Sequence, residues 1–309
     1  MLCPSCLQNT SGTKCQNKDC GQEIPPLYLQ RYGEFSRKPS ILSVVGFTGH
    51  GKTVYLATLM HALEQDLVAV WPRFYRLGLD QKTVDTVMQN SMLLARGELP
   101  KPTPRTFPQP SVHLLKEIPR YGTRGLIIYD PSGEAFNSDE GIKSLAGFVQ
   151  RARAVIFLVS LADLQEPKSN DLYRLLNVYV LGMAKMQART KNQHLIIAYT
   201  KADLLTPEFE NHPDVLQHLN SDYTALANPK RYFQTLSDVS SQLWAFTMNH
   251  LQAATFVRLA QDQFKSVAFC VVSALGAAPE KDSAGVSRLV TEIKPRCVLD
   301  PLLWVLERS

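Results

Sequence analysis

Apolar positions fall either in short runs without alternation or in longer stretches with helical spacing. Ile41, Leu42, Val44 and Val45 form the first run, and Val54 to Leu63 then reads as a helix. Val112 to Ile118 and Gly125 to Tyr129 read as two paired strands, because Pro119 and Gly122 punctuate a short connection. Ala154 to Ser160 and Leu195 to Tyr199 are β-branched runs of the kind a central parallel strand needs when both faces are covered. Leu172 to Met186 is the helix between them, Val267 to Val272 is the last strand, and Pro301 to Leu306 belongs to a closing helix. Strands alternating with helices predict an α/β fold, three-layered, with a predominantly parallel sheet.

Other stretches interrupt this rhythm. Val68 to Leu79 is apolar and aromatic but broken by Pro72, and Asp80 to Arg96 has helical spacing. Leu99 to Pro110 carries Pro100, Pro102, Pro104, Pro108 and Pro110, a density that forbids a helix and leaves an extended, mobile loop. Arg231 to Lys265 lacks Gly and Pro and repeats apolar residues from Leu236 to Phe264. As one helix it spans about 50 Å; a hairpin or a partner-binding arm fits the same spacing, and packing on the same domain is the plainer reading. His250, on this stripe, reads as a core histidine.

With 309 residues, 45% hydrophobic and 20% charged, the chain has the composition of a soluble globular protein with one large domain and a small appendage. The net charge of +5 is dispersed, so nucleic acid is permitted as a partner but not indicated. The longest apolar run, Ala154 to Ala162, is too short to cross a bilayer, and the first residues lack signal-peptide character, so a cytoplasmic protein is expected.

Four of the six cysteines, Cys3, Cys6, Cys15 and Cys20, form two close pairs on a segment too short and polar to bury its own core. In a reducing compartment these are ligands for Zn2+ in a zinc ribbon before they are redox pairs or free thiols. The organisation expected is a ribbon over 1–24, a linker or strap over 25–39, and a main domain over 40–309 with helical insertions at about 66–99 and 205–264.

Between the first strand and helix lies Gly46-Phe-Thr-Gly-His-Gly-Lys-Thr53. Glycines let successive N–H groups converge on phosphate oxygens, and the helix start adds its positive end. Gly46, Thr48, Gly49, His50 and Gly51 supply the cradle, Lys52 reaches the β- and γ-phosphates, and Thr53 ligates Mg2+. Asp130, at the end of a strand, would face the metal's water shell, and Gly133 the γ-phosphate. At Thr200-Lys-Ala-Asp203, the Asp203 carboxylate can accept two hydrogen bonds from guanine, whereas adenine leaves it unpaired. The Lys201 stem can cover the base, and Ser273-Ala274 would touch its O6.

In order and placement these four motifs resemble those of P-loop GTPases of the Ras-like and translation-factor class. The phrases Gly51-Lys-Thr-Val-Tyr-Leu-Ala, Asp130-Pro-Ser-Gly-Glu and Asp300-Pro-Leu-Leu-Trp are most similar to the bacterial conflict-system double-GTPase group. The resemblance implies a Mg2+-dependent GTP/GDP switch that hydrolyses GTP and works with a protein partner, a second GTPase among the candidates. It also implies a switch threonine, for which Thr103 is preferred over Thr106, and puts Glu134 where a glutamine usually orients the attacking water. A carboxylate there is repelled by the γ-phosphate, so hydrolysis is expected to be slow or partner-activated. The alternatives are a catalytically weak GTP-binding scaffold and an ATPase adaptor whose zinc ribbon binds nucleic acid.

Overall fold

The computed structural model describes residues 1–281 and 287–308. Seven strands form one sheet: β1 (Ser40–Val45), β2 (Tyr75–Gly78), β3 (Ser111–Ile118), β4 (Gly122–Tyr129), β5 (Ala154–Ser160), β6 (His194–Thr200) and β7 (Ser266–Val272). Their order is β2-β3-β4-β1-β5-β6-β7. From β4 to β7 all neighbours are parallel, whereas β2-β3 and β3-β4 are antiparallel. The helices are α1 (Pro26–Arg31), α2 (Lys52–Glu64), α3 (Asp66–Val70), α4 (Gln81–Ala95), α5 (Asp139–Leu145), α6 (Lys168–Lys185), α7 (Pro213–Leu219), α8 (Pro229–Ala245), α9 (Ala254–Gln263) and α10 (Asp300–Arg308).

The unalternating strands feed two cores at once. Val155, Phe157 and Val159 of β5 face α5, α6, α9 and the N-terminal segment, while Ile156 and Leu158 face α2, α8 and α10. Neither face of β5 meets water, which explains why its only polar residue is Ser160, at its end. The parallel strands end, at their common carboxyl edge, in a row of loops.

Three stretches refine the sequence reading. The presumed helical insertion around 66–99 contains β2, a short edge strand following the Pro72 break. The presumed linker contains α1, whose Tyr28 hydroxyl donates to the Leu2 carbonyl at 2.8 Å, while the Leu2 amide donates to the Tyr32 hydroxyl at 3.0 Å. Phe35 then lies over Gly125, where a Cβ would come within 2.7 Å of the ring, so the strap is packed on β4. The stripe from Arg231 splits into α8 and α9. Phe246–His250 forms a π-type turn, Leu251 N donating to Phe246 O at 3.1 Å, and Gln252 turns left-handed at φ 51°. The extra residue shifts the helical phase, so Leu251 is buried and His250 is exposed, stacked on Phe246. His250 is not a core histidine. The stripe itself does pack inward, through Leu236, Val239, Leu243, Val257 and Ala260.

The closing helix is stapled by buried polar groups. Asp300 accepts from His218 Nε2 at 2.7 Å and from the Tyr232 hydroxyl at 2.6 Å, so both carboxylate oxygens are satisfied away from water. Burial alone would push the His218 pKa down, but the Asp300 carboxylate outweighs it and raises the imidazole above its ordinary value. Cys270 and Cys297 are buried core thiols. His218, Cys297 and Asp300 lie within metal-ligand distance of one another, but the hydrogen bonds already engage Asp300.

His113 on β3 shows the opposite electrostatics. It is 1% exposed, its Nδ1 accepts from Arg76 Nη1 at 2.9 Å, and burial followed by the Arg76 charge pushes its pKa down to about 3. A folded-state pKa below the unfolded value means that the native state excludes a proton the unfolded chain binds, so stability falls as pH drops below about 6.5. The expected loss is about 1.4 kcal/mol per pH unit for this one group. Denaturant titrations between pH 6.5 and 5 should show that slope flattened by one proton in His113→Gln, which keeps an acceptor for Arg76. An unchanged slope would mean that His113 takes up its proton when folded.

Candidate functional site

The phosphate loop connects β1 to α2 through backbone that side chains could not occupy. Gly49 and Gly51 take φ 87° and 80°. A Cβ on Gly46 would lie 2.5 Å from the Leu158 carbonyl of β5, so the loop leaves the sheet pressed against the neighbouring strand. Lys52, 6% exposed, folds back and donates to the Gly46 and Phe47 carbonyls at 2.9 and 3.0 Å. Burial pushes its pKa down to about 8, against the nearby Asp130 charge that raises it.

Beside the loop, three groups from three separate segments meet. Thr53 Oγ1 lies 2.9 Å from Thr103 Oγ1, which donates to Asp130 Oδ2 at 2.7 Å. The other Asp130 oxygen is buried with no hydrogen-bond partner among the described residues. Burial raises the Asp130 pKa, opposed by the two threonine hydroxyls and Lys52. A carboxylate buried with an unmet lone pair beside two hydroxyls is a donor set for a hard cation and its waters. Thr103, not Thr106, is the loop threonine brought here; Thr106 is exposed and its amide turns back to Pro104 O at 2.8 Å. Gly133 packs on the loop so closely that a Cβ would lie 2.5 Å from the Thr48 amide nitrogen. Glu134, the next residue, points outward and pairs with Arg105 at 3.2 Å.

On the other flank, Thr200 Oγ1 donates to the His50 carbonyl at 3.1 Å, tying the end of β6 to the phosphate loop. His50 is fixed in turn by its ring Nδ1, 3.1 Å from the Leu158 carbonyl. Lys201 adopts the left-handed region at φ 55° and its ammonium meets Asp163 Oδ2 at 2.6 Å. The Ser273 hydroxyl donates to Asp203 Oδ1 at 2.6 Å and accepts from the Gly276 amide at 3.1 Å. Ala274 follows on the same turn. All four motifs thus converge on the carboxyl edge of the parallel strands.

Sequence reasoning missed Asp163 and Arg105. Asp163 was findable, since it stands just past β5, at the same edge as the other motifs. Arg105 had no such mark, being one basic residue in a proline-rich loop.

The Double-GTPase 2 family profile matches residues 40–254, more than half of the chain. The chain belongs to the Double-GTPase 2 family. It is therefore a P-loop GTPase by family, and the matched span holds the phosphate loop, Thr103, Asp130 to Gly133 and Thr200 to Asp203. Ser273, Ala274 and the four clustered cysteines lie outside it. Comparison with curated proteins returns no match. Among solved structures, similarity extends to a bacterial selenocysteine-specific elongation factor, at 13% identity over 88% of this chain and 29% of that one, TM-score 0.36. The Saccharomyces cerevisiae Ski7 GTPase-like domain bound to GTP is similar at 17% identity over 87% and 50%, TM-score 0.37. The Chaetomium thermophilum signal recognition particle receptor complex is similar at 15% over 79% and 94%, TM-score 0.38. The chain spans half or less of the first two, and TM-scores this low carry no functional weight.

The N-terminal cluster stands on its own geometry. The sulfurs of Cys3, Cys6, Cys15 and Cys20 all lie within 4.8 Å of one another, with Cys6–Cys15 at 3.6 Å and Cys3–Cys20 at 3.9 Å. Tetrahedral zinc with Zn–S bonds of about 2.3 Å places sulfurs about 3.8 Å apart, so the four thiols fit that ion. Burial pushes the Cys3 thiol up to about 12, a cost that a bound cation offsets by holding it as thiolate. The loop between Cys3 and Cys6 sits on the main domain, its Pro4 carbonyl accepting from the Tyr129 hydroxyl at 2.6 Å. Metal analysis of the purified protein should give about one zinc per chain, lost in Cys15→Ser. Less than about half an equivalent in the unaltered protein would remove the zinc assignment.

Proposed function

We propose that the protein is a Mg2+-dependent, guanine-specific GTPase switch. The observation that carries this reading is the meeting of Thr53, Thr103 and Asp130 around an unsatisfied buried carboxylate oxygen, beside a glycine loop whose lysine is already folded inward. Thr53 and Thr103 would ligate Mg2+ and Asp130 would order its waters; the ion would neutralise charge on the β- and γ-phosphates. The amides of Thr48 to Gly51 and Lys52 would hold the phosphates, and Gly133 would meet the γ-phosphate. Asp203, oriented by Ser273, would accept from the guanine N1–H and exocyclic amine, with Lys201 over the base face. Loss of the γ-phosphate would release Thr103 and with it the proline-rich loop.

The family supports a wider reading, in which the protein works in the cytoplasm beside a second GTPase in a bacterial conflict or defence system. Among the described residues no helix is long and apolar enough to cross a membrane. The Zn2+-bearing ribbon would then serve protein contact or stability rather than nucleic-acid capture, since the modest positive charge is dispersed.

Titration with labelled GDP, GTP and ATP in Mg2+ tests the core of this proposal. Guanine nucleotides should bind at least about a hundredfold tighter than ATP, and Asp203→Asn should shift preference towards xanthine. Phosphate release over many turnovers, abolished in Lys52→Ala, should accompany binding. Equal affinity for ATP, or no change on substituting Asp203, would reject guanine selection. Tight GTP binding without turnover would leave a scaffold in place of an enzyme.

A further inference from the structure

Glu134 raises a specific electrostatic problem for a GTP site, and the structure holds its own answer. Gly133 presses on the Thr48 amide with no room for a side chain, so the residue that follows stands beside the phosphate loop. Its amide is capped by Ser132 Oγ at 3.4 Å, and its carboxylate extends to Arg105 Nη1 at 3.2 Å. Arg105 comes two residues after Thr103, the threonine that meets Thr53 and Asp130. The intervening sequence is Pro102-Thr103-Pro104-Arg105, and each proline fixes its own φ and restricts its predecessor. Thr103 and Arg105 thus lie two residues apart on one short, stiffened stretch, and in this structure Thr103 meets Asp130 while the guanidinium meets Glu134.

The pair is 72% and 48% exposed, so it contributes little to folding and is screened by water. Its place explains it better than its strength does. We propose that Arg105 is a positioning residue: its ion pair holds the Glu134 carboxylate turned outward, away from a bound γ-phosphate, and so favours GTP over GDP. This inference rests on the GTP-switch reading above and adds to it the residue that reads the third phosphate. Without Arg105 the carboxylate is free to swing toward the phosphate oxygens and repel them; with Glu134 made neutral, the same swing repels nothing.

The test is a double-substitution cycle on the ratio of affinities for GMPPNP and GDP in Mg2+, using the full chain, Arg105→Ala, Glu134→Gln and both together. Arg105→Ala should lower the GMPPNP-to-GDP ratio by about tenfold, the size expected for one uncompensated charge a few ångströms from the phosphate in a partly hydrated site. In the Glu134→Gln background the same substitution should change it by less than about twofold. An equal loss in both backgrounds would show that Arg105 acts on the nucleotide directly, and no loss in either would show an idle surface pair; both overturn the proposal. Failure of the underlying reading looks different, because guanine nucleotide binding would then be missing from the unaltered protein. Raised salt should shrink the Arg105→Ala effect, which a purely structural role would not predict.

Discussion

Two backbone approaches that leave no space for a Cβ hold the centre of this molecule, Gly46 against the Leu158 carbonyl and Gly133 against the Thr48 amide. They fix the ends of β1, β4 and β5 relative to one another more tightly than side-chain packing could. Every polar group of the site inherits that spacing. Asp130 stands at the end of β4, Thr53 on the first turn of α2, and Thr200 at the end of β6 with its hydroxyl on the same loop. Any side chain at Gly46 or Gly133 would separate strands whose partners on both faces are fully buried.

The legible and illegible parts of this chain divide by range of interaction. The phosphate loop was readable because glycines, a lysine and a threonine at fixed offsets express a local backbone requirement. The strand runs were readable because burial on both faces removes polar residues from them. The preference for Thr103 over Thr106 rested on a loop's composition, while the contact with Asp130 that separates them belongs to the fold. β2 escaped notice because a short edge strand pairs on one side only and Pro72 gives its neighbourhood the look of a break. A hairpin fits the spacing of the long stripe, but the point at which it divides into α8 and α9 was not legible, because neither glycine nor proline marks it. Gln252 takes the left-handed region instead, and one extra residue in the π-type turn moves His250 out of the apolar stripe.

The buried polar groups show the same division. Asp300 opens a sequence phrase that looked like a family signature. In the fold it is a staple, with His218 and Tyr232 arriving from 82 and 68 positions away to satisfy it. A buried carboxylate without both partners would be costly, so the phrase and its distant partners form one structural unit. Arg105 and Glu134, though exposed, are likewise a pair that only the folded chain assembles.

Tyr129 joins two regions that chemistry would otherwise keep apart. Its ring stacks on Phe148 at 4.1 Å, its hydroxyl holds the Pro4 carbonyl, and the next residue along β4 is Asp130. The contact closes a separation of 125 positions. At synthesis rates of about 5 to 20 residues per second, the last of the four thiols, Cys20, is made roughly 5 to 22 seconds before Tyr129. The ligand set of the small domain is thus complete first, and the strand that leads into Asp130 comes to rest against it.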